Sequence, residues 1–583
     1  MARPGNVAKP RAGLKAGCRQ DWLPHHEPDI LSKLRKFLLA KFTPASRACV
    51  VALALCLPFL SPAAEASQAC AACHRAIYDS YQQTPMATSS GPAGKGLIRE
   101  TFDHAAFTHT PTGFRYRVYP NRDALAFEFT SKDGALHGSK RLPYFVGSGA
   151  TARSYLMIDD GYAYVAPVTF YTRTKAWDLT PGYDHYAYPY MTRPVVPGCL
   201  TCHASFLATV PQAQNRFATP PFGENGIACE RCHGDGAAHI AKMKAGRTEG
   251  GPAIVNPAKL APDRRDSICA QCHLSGETRV PRPGADWRSF GPGGLLSDVT
   301  TVFVKSGGSP GITVTGHVEK LAQSACQRAS GGRLWCGTCH DPHVLPKPAQ
   351  RAAWFREKCL GCHKPGDCRE TRSARLKAQD DCTACHMPKA TTVDAQHVVQ
   401  TDHSIPRRPR PGTPVPRPDA DLVVFGGVPA SDRDLAIAYA IVGPREHNTL
   451  YQSRAQTLLQ KAERESPEDV EVLLYLAEIY RNGDQPDLAI PLFQRAIRLS
   501  PEQVTASVGL GGIMMERGQY AEAIRLWEDA LAKNAGLELV RVNLAMAYWR
   551  TGDLPSAERH LVKAVDLSPG FAPAADLLRR LRQ

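Results

Sequence analysis

"WCGTCHDPH" occupies Trp335–His343. Cys336 and Cys339 stand three apart, His340 follows the second cysteine directly, and His343 comes three residues later. Two thiols and two imidazoles this close together suit a zinc site, a disulfide or a covalently attached haem. Recurrence separates the three. The chain has 583 residues, 20 histidines and 19 cysteines. Every CxxC after residue 66 is followed by His: Cys70/Cys73/His74, Cys199/Cys202/His203, Cys229/Cys232/His233, Cys269/Cys272/His273, Cys336/Cys339/His340, Cys359/Cys362/His363 and Cys382/Cys385/His386. Zinc ribbons and redox CxxC pairs need no histidine in that place.

CxxCH is the attachment sequence of c-type haem. The two thiols add across the two vinyl groups on one porphyrin edge, and the next residue then lies under the iron as a neutral imidazole ligand. Seven motifs predict seven c-type haems with iron ligated by the seven motif histidines. Fourteen cysteines are used in this way, and Cys18, Cys49 and Cys56 fall in the leader. Cys326 and Cys368 remain, either as a disulfide or as two thiols.

Each iron has a sixth position. Histidine there makes a low-potential electron carrier, methionine raises the potential, and an open position binds substrate. Outside the motifs the region offers His104, His109, His137, His185, His239, His317, His343, His397 and His403. His343 cannot reach around the ring held by its own motif, so it is expected to ligate a neighbouring haem or to hydrogen-bond a carbonyl. The same argument covers His239. His317, His397 and His403 complete the set of expected distal histidines, and Met86 stands twelve residues after His74 as a thioether donor for the first haem.

The start of the chain bears on compartment. A basic "LSKLRKFLLAKF", an apolar "ACVVALALCLPFL" and a small-residue "SPAAEAS" read as a Sec signal peptide cleaved after Ala66. The apolar run is shorter than the roughly 20 residues that span a bilayer. The expectation is a protein exported to the periplasm with no transmembrane segment in its mature form. Net charge is +15, and residues 1–66 hold ten Lys and Arg against four Asp and Glu, leaving +9 on the rest. Export and the propionates of seven haems account for that charge better than a nucleic-acid partner does.

Four segments follow. Residues 1–66 are the leader. Residues 67–403 hold every remaining cysteine and form the heptahaem domain, with strand-rich sequence over 97–176 ("FRYRVY", "LAFEFT", "YAYVAPVTFY") inserted after the first motif. Residues 404–433 are rich in Pro and Arg and read as a stiff, solvated linker. Residues 434–583 lack cysteine and repeat with a period of 34: Ala462, Ala496, Ala530 and Ala564 lie on one grid, and Ala455, Ala489, Ala523 and Ala557 on another. With Phe493, Trp527 and the closing Pro467, Pro501 and Pro569, this pattern resembles the tetratricopeptide repeat. Four repeats and a last helix fill the segment, the first degenerate, with Glu446 where an aromatic is usual.

The runs "CERCHGDGAAH", "GHVEKLAQSACQRASGGRLWCGTCHDPH", "CHMP" and "TDHSIP" together resemble the multihaem cytochrome c group. That group includes the tetrahaem cytochrome of ammonia oxidisers, hydroxylamine oxidoreductase, pentahaem nitrite reductases, octahaem tetrathionate reductase and members fused to tetratricopeptide repeats. The resemblance implies closely stacked haems and distal ligation by a histidine that follows another motif. It implies a mainly α fold: a haem-packed domain with a small antiparallel β insertion, then an α-α superhelical repeat domain. No motif here has the lysine of the nitrite reductases, and no single tyrosine matches the crosslink of hydroxylamine oxidoreductase. The expected function is therefore electron transfer, with the repeats docking a redox partner protein. The alternatives are an oxidoreductase acting on a small nitrogen or sulfur compound at one open haem, in a pocket built from His185, Tyr186 and Arg193, and a scaffold whose haems sense redox state.

Overall fold

Alternation sets the strands. In β3 (Arg115–Asn121) Tyr116 and Val118 point inward while Arg115 and Arg117 face solvent. The chain reverses through Arg122 and Asp123 into β4 (Ala124–Thr130). The computed structural model describes residues 66–94, 99–247, 253–308, 311–407 and 420–583. The expected signal peptide therefore lies outside the described residues, apart from Ala66.

With β1 (Ser90–Pro92), β2 (Ala106–Thr108), β5 (His137–Leu142), β6 (Tyr144–Val146), β7 (Ala152–Asp159), β8 (Tyr162–Tyr171) and β9 (Ala176–Leu179), these strands make two antiparallel sheets. The orders are β2-β3-β4-β5 and β1-β6-β7-β8-β9. They share a core of Leu125, Phe127, Leu142, Tyr155, Tyr164, Val168 and Trp177. The strand-rich insertion is thus larger than expected and runs past both its predicted ends.

More strands lie among the cysteine motifs: β10 (Ser205–Thr209) with β11 (Phe217–Glu224), β12 (Thr278–Pro281) with β13 (Thr300–Lys305), and β14 (Lys389–Thr391) with β15 (Val399–Thr401). The expectation of a mainly α fold is corrected for this half of the chain, which mixes α and β. Pro220 and Pro221 inside β11 and a register shift between Leu207 and Thr209 break the pattern by which sequence reveals strands. A further correction concerns the linker. Its end forms β16 (Leu422–Val424), which pairs with β13 and buries Leu422.

Helices here are short because most carry a single cysteine motif. They are α1 (Ala66–Tyr81), α2 (Pro197–Leu200), α3 (Glu230–His233), α4 (Ala237–Lys244), α5 (Pro262–His273), α6 (His317–Ala322), α7 (Ala325–Ala329), α8 (Cys336–Cys339), α9 (Arg351–Leu360), α10 (Arg372–Lys377) and α11 (Cys382–His386).

The repeat domain has longer helices: α12 (Asp432–Arg445), α13 (Thr449–Glu465), α14 (Val470–Asn482), α15 (Pro486–Leu499), α16 (Val504–Glu516), α17 (Tyr520–Lys533), α18 (Glu538–Thr551), α19 (Leu554–Leu567) and α20 (Ala572–Leu581). They pack as four successive hairpins and a closing helix. All eight alanines of the two 34-residue grids are buried. Small side chains let the paired helices approach, and Phe493 and Trp527 fill the space between neighbouring pairs.

Two seams join the repeats to the rest. At the first, Asp434 accepts from Arg282 (2.9 Å), Arg433 (2.8 Å) and Thr301 (2.6 Å), while Arg433 also donates to Asp469 and the Pro281 carbonyl. Glu446, the residue that makes the first repeat degenerate, accepts from Lys305 at 2.7 Å. At the second, Glu538 accepts from the Tyr188 hydroxyl at 2.6 Å, and Lys563 donates to Asp159 at 3.0 Å. Among the described residues no helix is long and apolar enough to cross a membrane.

Candidate functional site

Each CxxC sits on a helix or a single helical turn, where residues three apart share a face. Both thiols of a motif are thereby presented together. The following histidine is pinned by its backbone. The N–H groups of His233, His340 and His363 donate to the carbonyls of Cys229, Cys336 and Cys359 at 3.0, 2.9 and 2.9 Å. His74 lies at a kink inside α1, with φ −114° and ψ 39°. In the fifth motif a Cβ at Gly337 would overlap the Trp335 indole, so glycine there lets the ring fold over its own turn. None of the motif cysteines or histidines is fully buried.

Histidines from distant segments face four of the motif histidines. His74 and His239 have ring centres 6.3 Å apart, with planes 14° from parallel. His233 and His343 are 5.9 Å apart at 18°. His273 and His317 are 5.2 Å apart at 84°, and His340 and His403 are 6.3 Å apart at 30°. Two imidazoles sharing one metal at about 2 Å each place their ring centres about 6 Å apart. The first, third and fifth motifs match that spacing closely. His317 also lies 4.9 Å from His403, which joins the fourth and fifth motifs through a run of rings. Among the described residues no imidazole stands opposite His203, His363 or His386.

Hydrogen bonding favours the coordinating tautomer. Nδ1 of His233 donates to the Val255 carbonyl (2.8 Å), that of His386 to the Pro406 carbonyl (3.1 Å), and that of His403 to the Thr401 carbonyl (3.0 Å). In each case Nε2 keeps its lone pair for a metal. Nδ1 of His343 lies 3.4 Å from the Asp341 carboxylate. Burial holds His203 down to about 4 and His317 to about 3, so both are neutral at pH 7. Among the described residues no three His, Cys, Asp or Glu converge on one point as a metal-binding group. The donors are thus arranged as thiol pairs with opposed imidazoles, which fits iron already held in a porphyrin.

The motifs are also held against one another. Burial and the neighbouring Cys229 push the Cys70 thiol up to about 12. Residues that sequence reasoning passed over hold these contacts in place. The Ser67 hydroxyl accepts from the Cys229 N–H at 3.1 Å, tying the first motif to the third. Arg231 and Gln271 clasp each other at 2.6 and 3.1 Å, tying the third to the fourth. Arg279 donates to the Ala270 and Gln271 carbonyls at 3.0 and 2.9 Å, placing positive charge at the C-terminal end of α5. The one visible signal was the arginine inside "CERCH".

Several expectations are corrected. The ring opposite His74 is that of His239, so the place expected for Met86 is taken by an imidazole. The Met86 carbonyl accepts from Ser89 and Ile227 and anchors a loop. His397 is turned away from the motifs: Nε2 meets the Asp178 carboxylate at 2.9 Å, and the ring packs edge-on against Tyr171. The pocket expected around His185, Tyr186 and Arg193 is an aromatic stack. Tyr186 lies on Tyr190 at 4.0 Å, and Arg193 donates to the Pro181 carbonyl while covering Tyr183. For Cys326 and Cys368, where a disulfide and two thiols were both open, the structure has free thiols.

Comparison with known proteins finds family matches to segments of both halves. Residues 185–234 match the family described as cytochrome c554 and c-prime. Residues 328–367 match the doubled CXXCH motif. Residues 453–504, 480–538 and 514–581 match tetratricopeptide repeats. A peroxisomal targeting signal receptor of Candida glabrata is 25% identical over 122 residues, which is 21% of this chain and 21% of that protein. The chain thus spans about a fifth of the length of this curated relative. Among solved structures, YrrB, described as a TPR protein with an unusual peptide-binding site, is 24% identical, with a TM-score of 0.22 over 25% of this chain and 74% of its own. MamA is 21% identical, with a TM-score of 0.23 over 24% and 81%.

Proposed function

Starting from a chain that is a multihaem c-type cytochrome joined to tetratricopeptide repeats, we propose that it is an exported electron carrier with seven covalently bound haems. Cys70, Cys73, Cys199, Cys202, Cys229, Cys232, Cys269, Cys272, Cys336, Cys339, Cys359, Cys362, Cys382 and Cys385 hold them. His74, His203, His233, His273, His340, His363 and His386 ligate the irons. His239, His343, His317 and His403 are the second ligands of the first, third, fourth and fifth. When bound, each haem supplies a one-electron iron couple. The chain's own residues set the spacing, keep the imidazoles neutral and, at the first, third, fourth and fifth irons, close the sixth position to small molecules.

The observation that carries this reading is the set of opposed imidazoles, above all His74 with His239 and His233 with His343. An iron held on both faces passes electrons and has no free position for a substrate. The aromatic stack of Tyr183, Tyr186 and Tyr190 favours packing over a substrate pocket in this stretch. The leader sequence supports export to the periplasm. The repeats are the docking surface for a redox partner protein.

Electron paramagnetic resonance of the oxidised protein tests the assignment. The expected spectrum has low-spin signals from the four bis-imidazole haems, and these signals do not change with nitrite or hydroxylamine. A high-spin haem whose spectrum shifts with one of these ligands would transfer the assignment to the oxidoreductase.

A further inference from the structure

We propose that Glu319 is a positioning residue for the fourth iron: it holds the turn that leaves His273 against the start of α6 and so keeps His317 on the face opposite His273. The proposal rests on the haem reading above, in which His273 and His317 are the two ligands of that iron, and adds what keeps the second one there.

His317 needs such a residue. It opens α6, a helix of six residues whose N-cap, Gly316, has no side chain to cap it. A helix that short has little stability of its own. Its rotation would carry His317 away from His273, whose ring centre lies 5.2 Å off, and toward His403, which is 4.9 Å off. Glu319 stands two residues further on and is almost fully buried. Its Oε1 accepts from the backbone N–H groups of Ser275 at 3.1 Å and Gly276 at 2.9 Å, the second and third residues after His273. The Ser275 and Thr315 hydroxyls make a further tie between the same two segments.

The turn is fixed on its other sides. Arg279 on β12 donates to the Ala270, Gln271 and Leu274 carbonyls at 3.0, 2.9 and 3.0 Å, which closes the end of α5 around His273. The Glu277 N–H donates to the Phe303 carbonyl of β13 at 2.7 Å. Gly276 has φ +61°, and a Cβ there would overlap the same carbonyl, so the turn packs directly on β13. Two N–H groups on a turn held this firmly are a fixed mark, and the Glu319 carboxylate takes its place from them. A side chain that orients a ligand in this way acts through the ligand and does not touch the metal. Glu319 thereby passes the placement of His273 on to His317.

Electron paramagnetic resonance and the intact mass of the haem-loaded full chain test the brace. His317→Ala should convert one low-spin haem to high-spin, which identifies the signal of the fourth iron. Glu319→Ala should keep every covalent haem and convert at least half of that same signal. Glu319→Gln retains a carbonyl oxygen for the two N–H groups and should leave the signal low-spin. The double variant of Glu319→Ala with His317→Ala should convert one haem, not two. A His317→Ala variant that loses no low-spin signal would overturn the ligand reading on which the brace rests. Loss in His317→Ala with none in Glu319→Ala would overturn the brace alone. Equal conversion by Glu319→Gln and Glu319→Ala would overturn it as well, because the charge and not the accepting oxygen would then be responsible. Should Glu319→Ala fail to accumulate, Glu319→Asp withdraws the carboxylate by one methylene and is read on the same signal: partial conversion supports the brace, and an unchanged signal contradicts it.

Discussion

His343 belongs to the fifth motif by sequence and to the third by position. Its ring lies 5.9 Å from His233, and the Asp341 carboxylate beside Nδ1 leaves Nε2 toward that partner. The spacing excluded its own haem, because a residue three places on stays on the near face. It could not name the partner, because the facing imidazole comes from another motif and obeys no local rule. His239 and His397 make the same point in opposite ways: both are histidines near motifs, yet one faces His74 and the other binds Asp178. Changing His343→Ala or His239→Ala should leave all seven haems attached and convert one low-spin resonance signal to high-spin. His397→Ala should leave the spectrum unchanged. A spectrum altered by His397→Ala and untouched by His343→Ala would reverse the assignment.

At the scale of elements, the 34-residue grid was readable because each position has one steric task. Gly511 shows how tight that task is: a Cβ there would lie 2.5 Å from the Trp527 indole nitrogen. Gly511→Ala should destabilise the repeats by about 1–3 kcal/mol through overpacking, measured by denaturant unfolding. Less predictable from the pattern is His560, buried between α18 and α19. Its Nδ1 accepts from Arg541 at 3.3 Å, and its Nε2 donates to Glu528 at 3.1 Å. Burial holds its pKa below the ordinary value near 6.5. The unfolded chain therefore binds a proton that the folded chain refuses, and repeat stability falls as pH drops below about 6.5. His560→Gln should flatten that dependence, seen as a melting temperature less sensitive to pH between 7 and 5. The strands β10 and β11 were hidden from sequence by their prolines, and β16 by the Pro and Arg around it. Each forms because a neighbouring strand offers unpaired backbone groups, which is tertiary information.

Across the whole molecule, the repeats are fastened at two places. Asp434 accepts from two guanidinium groups and a hydroxyl while almost fully buried. Asp434→Ala removes this shared acceptor and should cost about 3–5 kcal/mol, with unfolding of the repeats separating from that of the haem-bearing half in calorimetry. The first seam lies at the end of β12 and on β13, so the repeats are anchored a few residues beyond His273 of the fourth motif. The central claim is that this frame carries seven covalent haems, and the mass of the intact mature protein measures it most directly. The account predicts the mature polypeptide plus seven haem masses that survive acid and organic extraction. A mass with fewer haems, or haem lost on extraction, would contradict it.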